Sequence, residues 1–196
     1  ERHLDVLFHQ PTIDLFRPMS RGNRMPNIFL TGYRATGKTS VAQLVADQLG
    51  LEAIDADVFL ESEARMTIAE IFEAEGEQGF RERESSVVHQ LAQRDELVVA
   101  LGGGAIVREE NRRAIQGRGV TVWLTASPKI IFDRMTTDPL TGQRRPNLTA
   151  TGGLQEIQQL LEQRNPLYQE VADFSVDTEQ MTPAEVAGEI IAKLRD

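Results

Sequence analysis

Cysteine is absent from the 196-residue chain, which excludes disulfides, thiolate nucleophiles and zinc–cysteine sites. Long apolar runs are absent too. None approaches the ~20 residues of a membrane span, and no segment has the extended apolar core of a signal peptide. Basic residues are outnumbered: 21 Lys and Arg face 30 Asp and Glu, a formal net charge of -9. A protein that grips a nucleic-acid backbone usually shows a basic footprint, so nucleic acid is not expected as a partner, although an acidic protein can still focus arginines in one cleft. What is present is an ordinary globular balance, 40% apolar and 26% charged, in a chain long enough for one well-buried domain. The expectation is a cytoplasmic monomer.

Residues 1–26 differ from the rest. They mix Pro, Arg and scattered apolar residues without a steady period, and Met25 stands just before the first clear strand. This segment reads as a loosely ordered N-terminal extension, or as one in which Leu4, Val6, Leu7, Phe8, Leu15 and Phe16 dock on the domain or a neighbour. Residues 27–196 read as a single domain.

From residue 27 strands and helices alternate. "NIFLTG", "LEAIDAD", "LVVALGGG", "GVTVWLT" and "FSVDT" read as strands. Val41, Leu44, Val45 and Leu49 recur at helical spacing, with Gly50 as the stop. Residues 58–75 read as helical pieces broken near Met66-Thr67, and a longer helix is expected from about Phe80 to Arg94. Glu109 to Gln116 reads as helix, and Ser127-Pro128 starts another. Residues 136–153 are rich in turn residues. A helix from about Leu154 to Arg164 is expected to be interrupted by Asn165-Pro166. Thr182 and Glu185 form a capping box for a last helix carrying Val186, Ile190 and Leu194. The alternation predicts an α/β, three-layer fold with a parallel sheet and right-handed crossovers.

Gly32 to Thr39, in "GYRATGKTS", matches the phosphate-loop pattern G-x-x-x-x-G-K-[ST] between a strand and an amphipathic helix. Glycines let the backbone curl its N–H groups around phosphate oxygens, and the helix N-terminus adds partial positive charge. Lys38 can reach the β- and γ-phosphates, and the Thr39 hydroxyl can ligate Mg²⁺. A guanine-reading N/T-K-x-D motif is absent. Asp55 and Asp57 follow the second strand, and on an extended segment they would point to one side. Asp55 could hold a Mg²⁺-bound water and Asp57 a substrate hydroxyl, the alternative being a solvated loop pair.

In "GFRERE", Arg81 and Glu84 share a helix face. They form either a surface ion pair or a carboxylate clamp in which Glu84 orients the arginine. Gly102, Gly103 and Gly104 remove every side chain at the sheet edge, as a plain turn or as a floor for a small ligand. "TTDPLTGQRRPNLT" suits a lid that brings Arg144 or Arg145 to the transferring phosphoryl group. Arg164 ends a helix, where a cation is favoured by the dipole alone.

With "NIFLTGYRATGKTS", "DAD", "EGEQGFRERE", "LGGGA", "RRPNL" and "EQRNPLY" in order, residues 27–195 resemble the shikimate kinases. The resemblance implies a P-loop kinase fold with a five-stranded parallel sheet, a mobile lid at about 136–153 and a substrate-binding region around 58–86. It implies ATP-dependent phosphorylation of the 3-hydroxyl of shikimate, with Mg²⁺. It implies that Asp57, Arg81, Gly102, Gly103, Gly104 and Arg164 hold shikimate. Gly32, Ala35, Thr36, Gly37, Lys38, Thr39, Ser40, Arg134 and Arg145 would serve ATP, and Thr39 and Asp55 the metal. Lys38, Asp57 and Arg145 would be catalytic. Two features depart from the pattern. Tyr33-Arg34 is bulkier and more charged than usual, with Arg34 either meeting the lid or facing solvent. The stretch from Arg134 to Arg145 is a little long, which leaves Arg144 and Arg145 interchangeable. Competing readings are another small-metabolite kinase, similar to gluconate kinases, and a non-catalytic nucleotide-binding module.

Overall fold

Apolar residues at alternating positions of the first strand determine the layering. In β1 (Asn27–Thr31), Ile28 and Leu30 point to one face of the sheet and Phe29 to the other, and all three are buried. Near-continuous burial is what parallel strands covered on both faces require. The computed structural model of the chain describes residues 25–137 and 153–195. Residues 1–24 of the proposed 1–26 extension and most of the proposed lid, including Arg144 and Arg145, lie outside the described residues.

β1 leads through the glycine loop into α1 (Lys38–Leu49), then β2 (Glu52–Asp55), α2 (Ala56–Ala64), α3 (Ile68–Ala92) and β3 (Leu97–Ala100). A short 3₁₀ turn (Ala105–Val107), α4 (Glu109–Ile115), β4 (Gly119–Thr125) and α5 (Pro128–Thr137) follow. We number the remaining elements α6 (Gly153–Val171), β5 (Phe174–Asp177) and α7 (Pro183–Arg195). The five strands pair in parallel in the order β2-β3-β1-β4-β5. Ile28, Leu30, Val98 and Val122 pack against Val41 and Val45 of α1 and Val186 and Ile190 of α7. Phe29 and Val99 pack on the opposite face against Leu60, Ile71, Phe80 and Leu91 of α2 and α3. The chain leaves β1 for one side of the sheet and leaves β3 for the other. The switch point therefore lies at the carboxyl ends of β1 and β3, where open α/β sheets bind ligands.

Local signals hold at several ends. Gly50 caps α1 in the left-handed conformation. Thr182 and Glu185 exchange the reciprocal bonds of a capping box. Two expectations are corrected. β2 stops at Asp55, so Ala56 and Asp57 belong to α2 rather than to an extended segment. The cause is Asp55 itself, whose carboxylate accepts from the Asp57 and Val58 N–H groups and caps the helix. The expected pieces appear within α3: a first run starts behind a capping box of Thr67 and Glu70, after the expected break at Met66-Thr67, and Gly76 (φ 69°, ψ -173°) leaves the helical conformation and separates it from the run that carries Phe80. Finally, α6 does not break at Asn165-Pro166; it runs to Val171. Proline removes one ladder bond, but buried Tyr168 and the Ala172 N–H bond to the Tyr168 carbonyl hold the turn beyond it.

Candidate active site

The glycine loop curls tightly because its residues can. Gly37 takes φ 90° at the N-cap of α1, and Ala35 takes φ 61°. Gly32 has φ 137°, and a β-carbon there would stand 2.4 Å from the Leu124 carbonyl oxygen, so only glycine fits. The Thr36 hydroxyl donates to the Tyr33 carbonyl at 2.8 Å and closes the curl. The Lys38 ammonium donates to the Gly32 and Tyr33 carbonyls at 2.9 and 2.7 Å, which holds its charge at the loop's centre. Thr39 and Ser40 are exposed at the start of α1.

The Thr39 hydroxyl donates to the Asp55 carboxylate at 2.5 Å, so the end of β2 meets the start of α1. That alcohol and carboxylate form a hard-oxygen pair of the kind Mg²⁺ uses beside phosphates and water. Among the described residues no group of three His, Cys, Asp or Glu side chains could hold a metal. Asp57 follows in the first turn of α2, half-buried.

The triple glycine folds against the same loop. A β-carbon on Gly103 would lie 3.3 Å from the Arg34 nitrogen. Gly102 accepts the Ala105 N–H at 2.9 Å and starts the 3₁₀ turn. Gly104 faces Arg81, whose Nη1 would be 2.8 Å from an added β-carbon. Arg81 donates from Nη1 to Glu84 at 2.8 Å, and Glu84 is only 4% exposed. The pair is therefore not an ordinary surface bridge: a buried carboxylate aims a guanidinium along the glycine backbone. Arg164 donates to the Gly103 carbonyl at 3.3 Å and lies over the Tyr33 ring, 5.8 Å from its centroid. The expected residues among those described thus form one contiguous patch across the switch point, from Asp55 through the glycine loop to Arg81 and Arg164. Arg134 lies at its flank, donating to the Ala35 carbonyl at 3.4 Å, to the Thr178 hydroxyl at 3.0 Å and to the Thr178 carbonyl.

Sequence reasoning missed several members. Tyr168 is fully buried, stacks on Trp123 with ring centroids 5.7 Å apart, and donates its hydroxyl to the Gly103 carbonyl at 2.5 Å. Its only sequence signal is its place in "NPLY", four residues after Arg164. Arg34 is largely withdrawn from solvent. Its guanidinium, 13% exposed, is 3.4 Å from the carboxylate of Glu156, which is 1% exposed on α6. Tyr33 is buried beside them, and burial pushes its phenol above the usual value, against the opposing charges of Arg34 and Arg164.

The family model described as shikimate kinase matches residues 34–195. A shikimate kinase of Rhodopirellula baltica is 41% identical over 165 residues, covering 84% of this chain and 88% of that protein. The solved structure of shikimate kinase from Acinetobacter baumannii in complex with shikimate superposes with a TM-score of 0.79 at 39% identity, over 85% of this chain and 90% of that one. A gluconokinase from Sinorhizobium meliloti shares the fold alone, at 20% identity and a TM-score of 0.57 over 86% of this chain and 91% of that one. With the family model matching most of its length and relatives about 40% identical across most of both sequences, the chain belongs to the shikimate kinase family.

Proposed function

We infer that the protein transfers the γ-phosphoryl group of ATP to the 3-hydroxyl of shikimate, giving shikimate 3-phosphate and ADP within aromatic amino acid biosynthesis. The observation that carries this reading is Arg81, fixed by buried Glu84 against Gly104 and facing a phosphate loop. A planar cation held in that way suits a carboxylate, which shikimate carries and a nucleotide acceptor lacks. That the Acinetobacter baumannii relative binds shikimate supports the same choice.

In this reading the loop from Gly32 to Ser40 surrounds the phosphates with N–H groups, and Lys38 turns from its own loop carbonyls to the β- and γ-oxygens. Arg134 borders the nucleotide. Asp57 holds the 3-hydroxyl, and its carboxylate takes the proton as the hydroxyl oxygen bonds to phosphorus and the bond to ADP breaks. Loose phosphoryl transfer needs positioning more than a strong base, so half-buried Asp57 need not be strongly basic. Arg81 and Arg164 hold the carboxylate side over Gly102, Gly103 and Gly104. Thr39 and Asp55 would hold Mg²⁺, which when bound neutralises charge on the phosphates. Arg145, or Arg144 in its place, would bring a further cation to the transferring group.

The reading also takes the protein as a cytoplasmic monomer with neither nucleic acid nor membrane as a partner. The net charge of -9 supports the first exclusion. No described helix is long and apolar enough to cross a membrane. The test is ADP release measured by a coupled assay with shikimate, gluconate and AMP in turn. Release with shikimate alone is expected. Release with gluconate instead would establish the other small-metabolite reading, and none with any acceptor would leave a binding module.

A further inference from the structure

Arg34 and Glu156 join two parts of the site that the chain keeps far apart. Arg34 belongs to the glycine loop, and its backbone nitrogen is packed against Gly103. Glu156 lies in the first turn of α6. Eight residues further along the same helix, about 12 Å at the ~1.5 Å rise per residue, stands Arg164. Arg164 reaches the Gly103 carbonyl and covers one aspect of the Tyr33 ring, while the Arg34 guanidinium lies 5.7 Å from the same ring. Tyr168 then fastens the helix to Gly103 a turn later. One helix is therefore tied at its start to the nucleotide loop and at its middle to the glycine floor.

We propose that the buried Arg34–Glu156 pair is a positioning device for the acceptor side: it fixes α6 on the glycine loop so that Arg164 is held at the angle the acceptor carboxylate requires. This rests on the reading of Arg164 as an acceptor-binding residue. Stability alone is a poor reason for the pair. Removing two charges from water costs about as much as their attraction returns, and apolar replacements of similar volume are often neutral or better. An ion pair does constrain direction, because a carboxylate and a guanidinium satisfy each other only in particular orientations. An apolar contact between methionine and leucine allows the helix to slide and turn on the loop. The small cluster around Tyr33, Ile131, Ile157 and Leu161 leaves that freedom open, since those contacts are non-directional.

The test compares the wild type with the double variant Arg34→Met/Glu156→Leu and with Arg164→Ala, measuring Tm and both Michaelis constants for each. The expected double variant keeps its Tm, raises the shikimate KM about tenfold, and holds the ATP KM within about twofold. A double variant with wild-type shikimate KM, or with both KM values raised equally, overturns the proposal. If the double variant does not fold, Glu156→Gln, which keeps the shape and removes the charge, replaces it with the same expected split and the same overturning results. Arg164→Ala separates the two levels. If it leaves the shikimate KM unchanged, the acceptor reading of Arg164 fails and the proposal with it. If it raises that KM while the double variant does not, the proposal alone fails.

Discussion

The Arg81 guanidinium occupies the space that a side chain on Gly104 would fill: Nη1 and Nη2 stand 2.8 and 3.1 Å from an added β-carbon. The group in the way is the far end of a flexible side chain. Gly104→Ala should therefore fold, with a Tm within a few °C of the wild type, a shift of about 1 kcal/mol or less. Its cost should appear in function. A displaced guanidinium no longer faces the acceptor, so the shikimate KM should rise about tenfold while the ATP KM stays near its original value. Equal kinetics for the two proteins would show that Arg81 does not need this place.

Arg81→Ala removes the cation itself. Loss of a desolvated, charge-assisted pair typically costs ~2–5 kcal/mol, roughly 30- to 5,000-fold. The rise should fall on the shikimate KM and spare that for ATP. A shikimate analogue with a neutral amide in place of the carboxylate provides the control. Wild type should discriminate strongly against it and Arg81→Ala should not; matched discrimination would mean that another residue binds the carboxylate.

Lys38→Ala should lose most turnover while its circular dichroism spectrum persists, because Thr36 still closes the loop on the Tyr33 carbonyl. Asp57→Asn keeps the size and removes the charge, so kcat and the shikimate KM should both suffer. Unaltered kcat in Lys38→Ala would remove the phosphate-loop chemistry from the reaction.

Tyr168→Phe deletes a buried donor and leaves the Gly103 carbonyl with Arg164. Because the acceptor keeps one partner, the loss is that of a single hydrogen bond, ~0.5–1.5 kcal/mol, and about 2–4 °C of Tm accompanies each kcal/mol in a domain of this size. Calorimetry should show a loss of a few degrees. An unchanged Tm would mean that the hydroxyl bond contributes nothing.

The capping boxes predict a pH dependence. The backbone N–H and hydroxyl of Thr182 hold the Glu185 carboxyl below the usual value, and Thr67 does the same to Glu70. A depressed folded-state pKa means that the stability is present above the unfolded value and is lost as pH falls through the folded one. Glu185→Ala should thus lower Tm at neutral pH, and the gap from wild type should shrink on acidification. A gap that is constant with pH would exclude the charged form as the source.

What could be read from the sequence was local. The phosphate loop, the Gly50 stop, the Thr182–Glu185 box and the Arg81–Glu84 pair depend on residues within a few positions of one another. Asp57 was placed on a helix rather than a strand because the side chain two residues before it starts that helix, a competition between strand continuation and capping that spacing does not resolve. The run of α6 through Pro166 depends on Tyr168 meeting Gly103, 65 residues away in sequence. The burial of Glu156 depends on Arg34, separated by 122 residues. Contacts of that kind exist only once the sheet order is set.

The pairing of β1 with β4 carries a consequence for its register. Asn27 lies opposite Gly119, where a β-carbon would fall 1.9 Å from the Asn27 carbonyl oxygen, and at the other end Gly32 has room for none beside the Leu124 carbonyl. Both ends of the contact admit only hydrogen. Sliding one strand by a single residue would bring Arg118 or Val120 against Asn27 and would also turn the side chains of β1 to the wrong faces. The two glycines therefore pin the register: a pairing slipped by one residue meets backbone collision as well as misplaced core side chains.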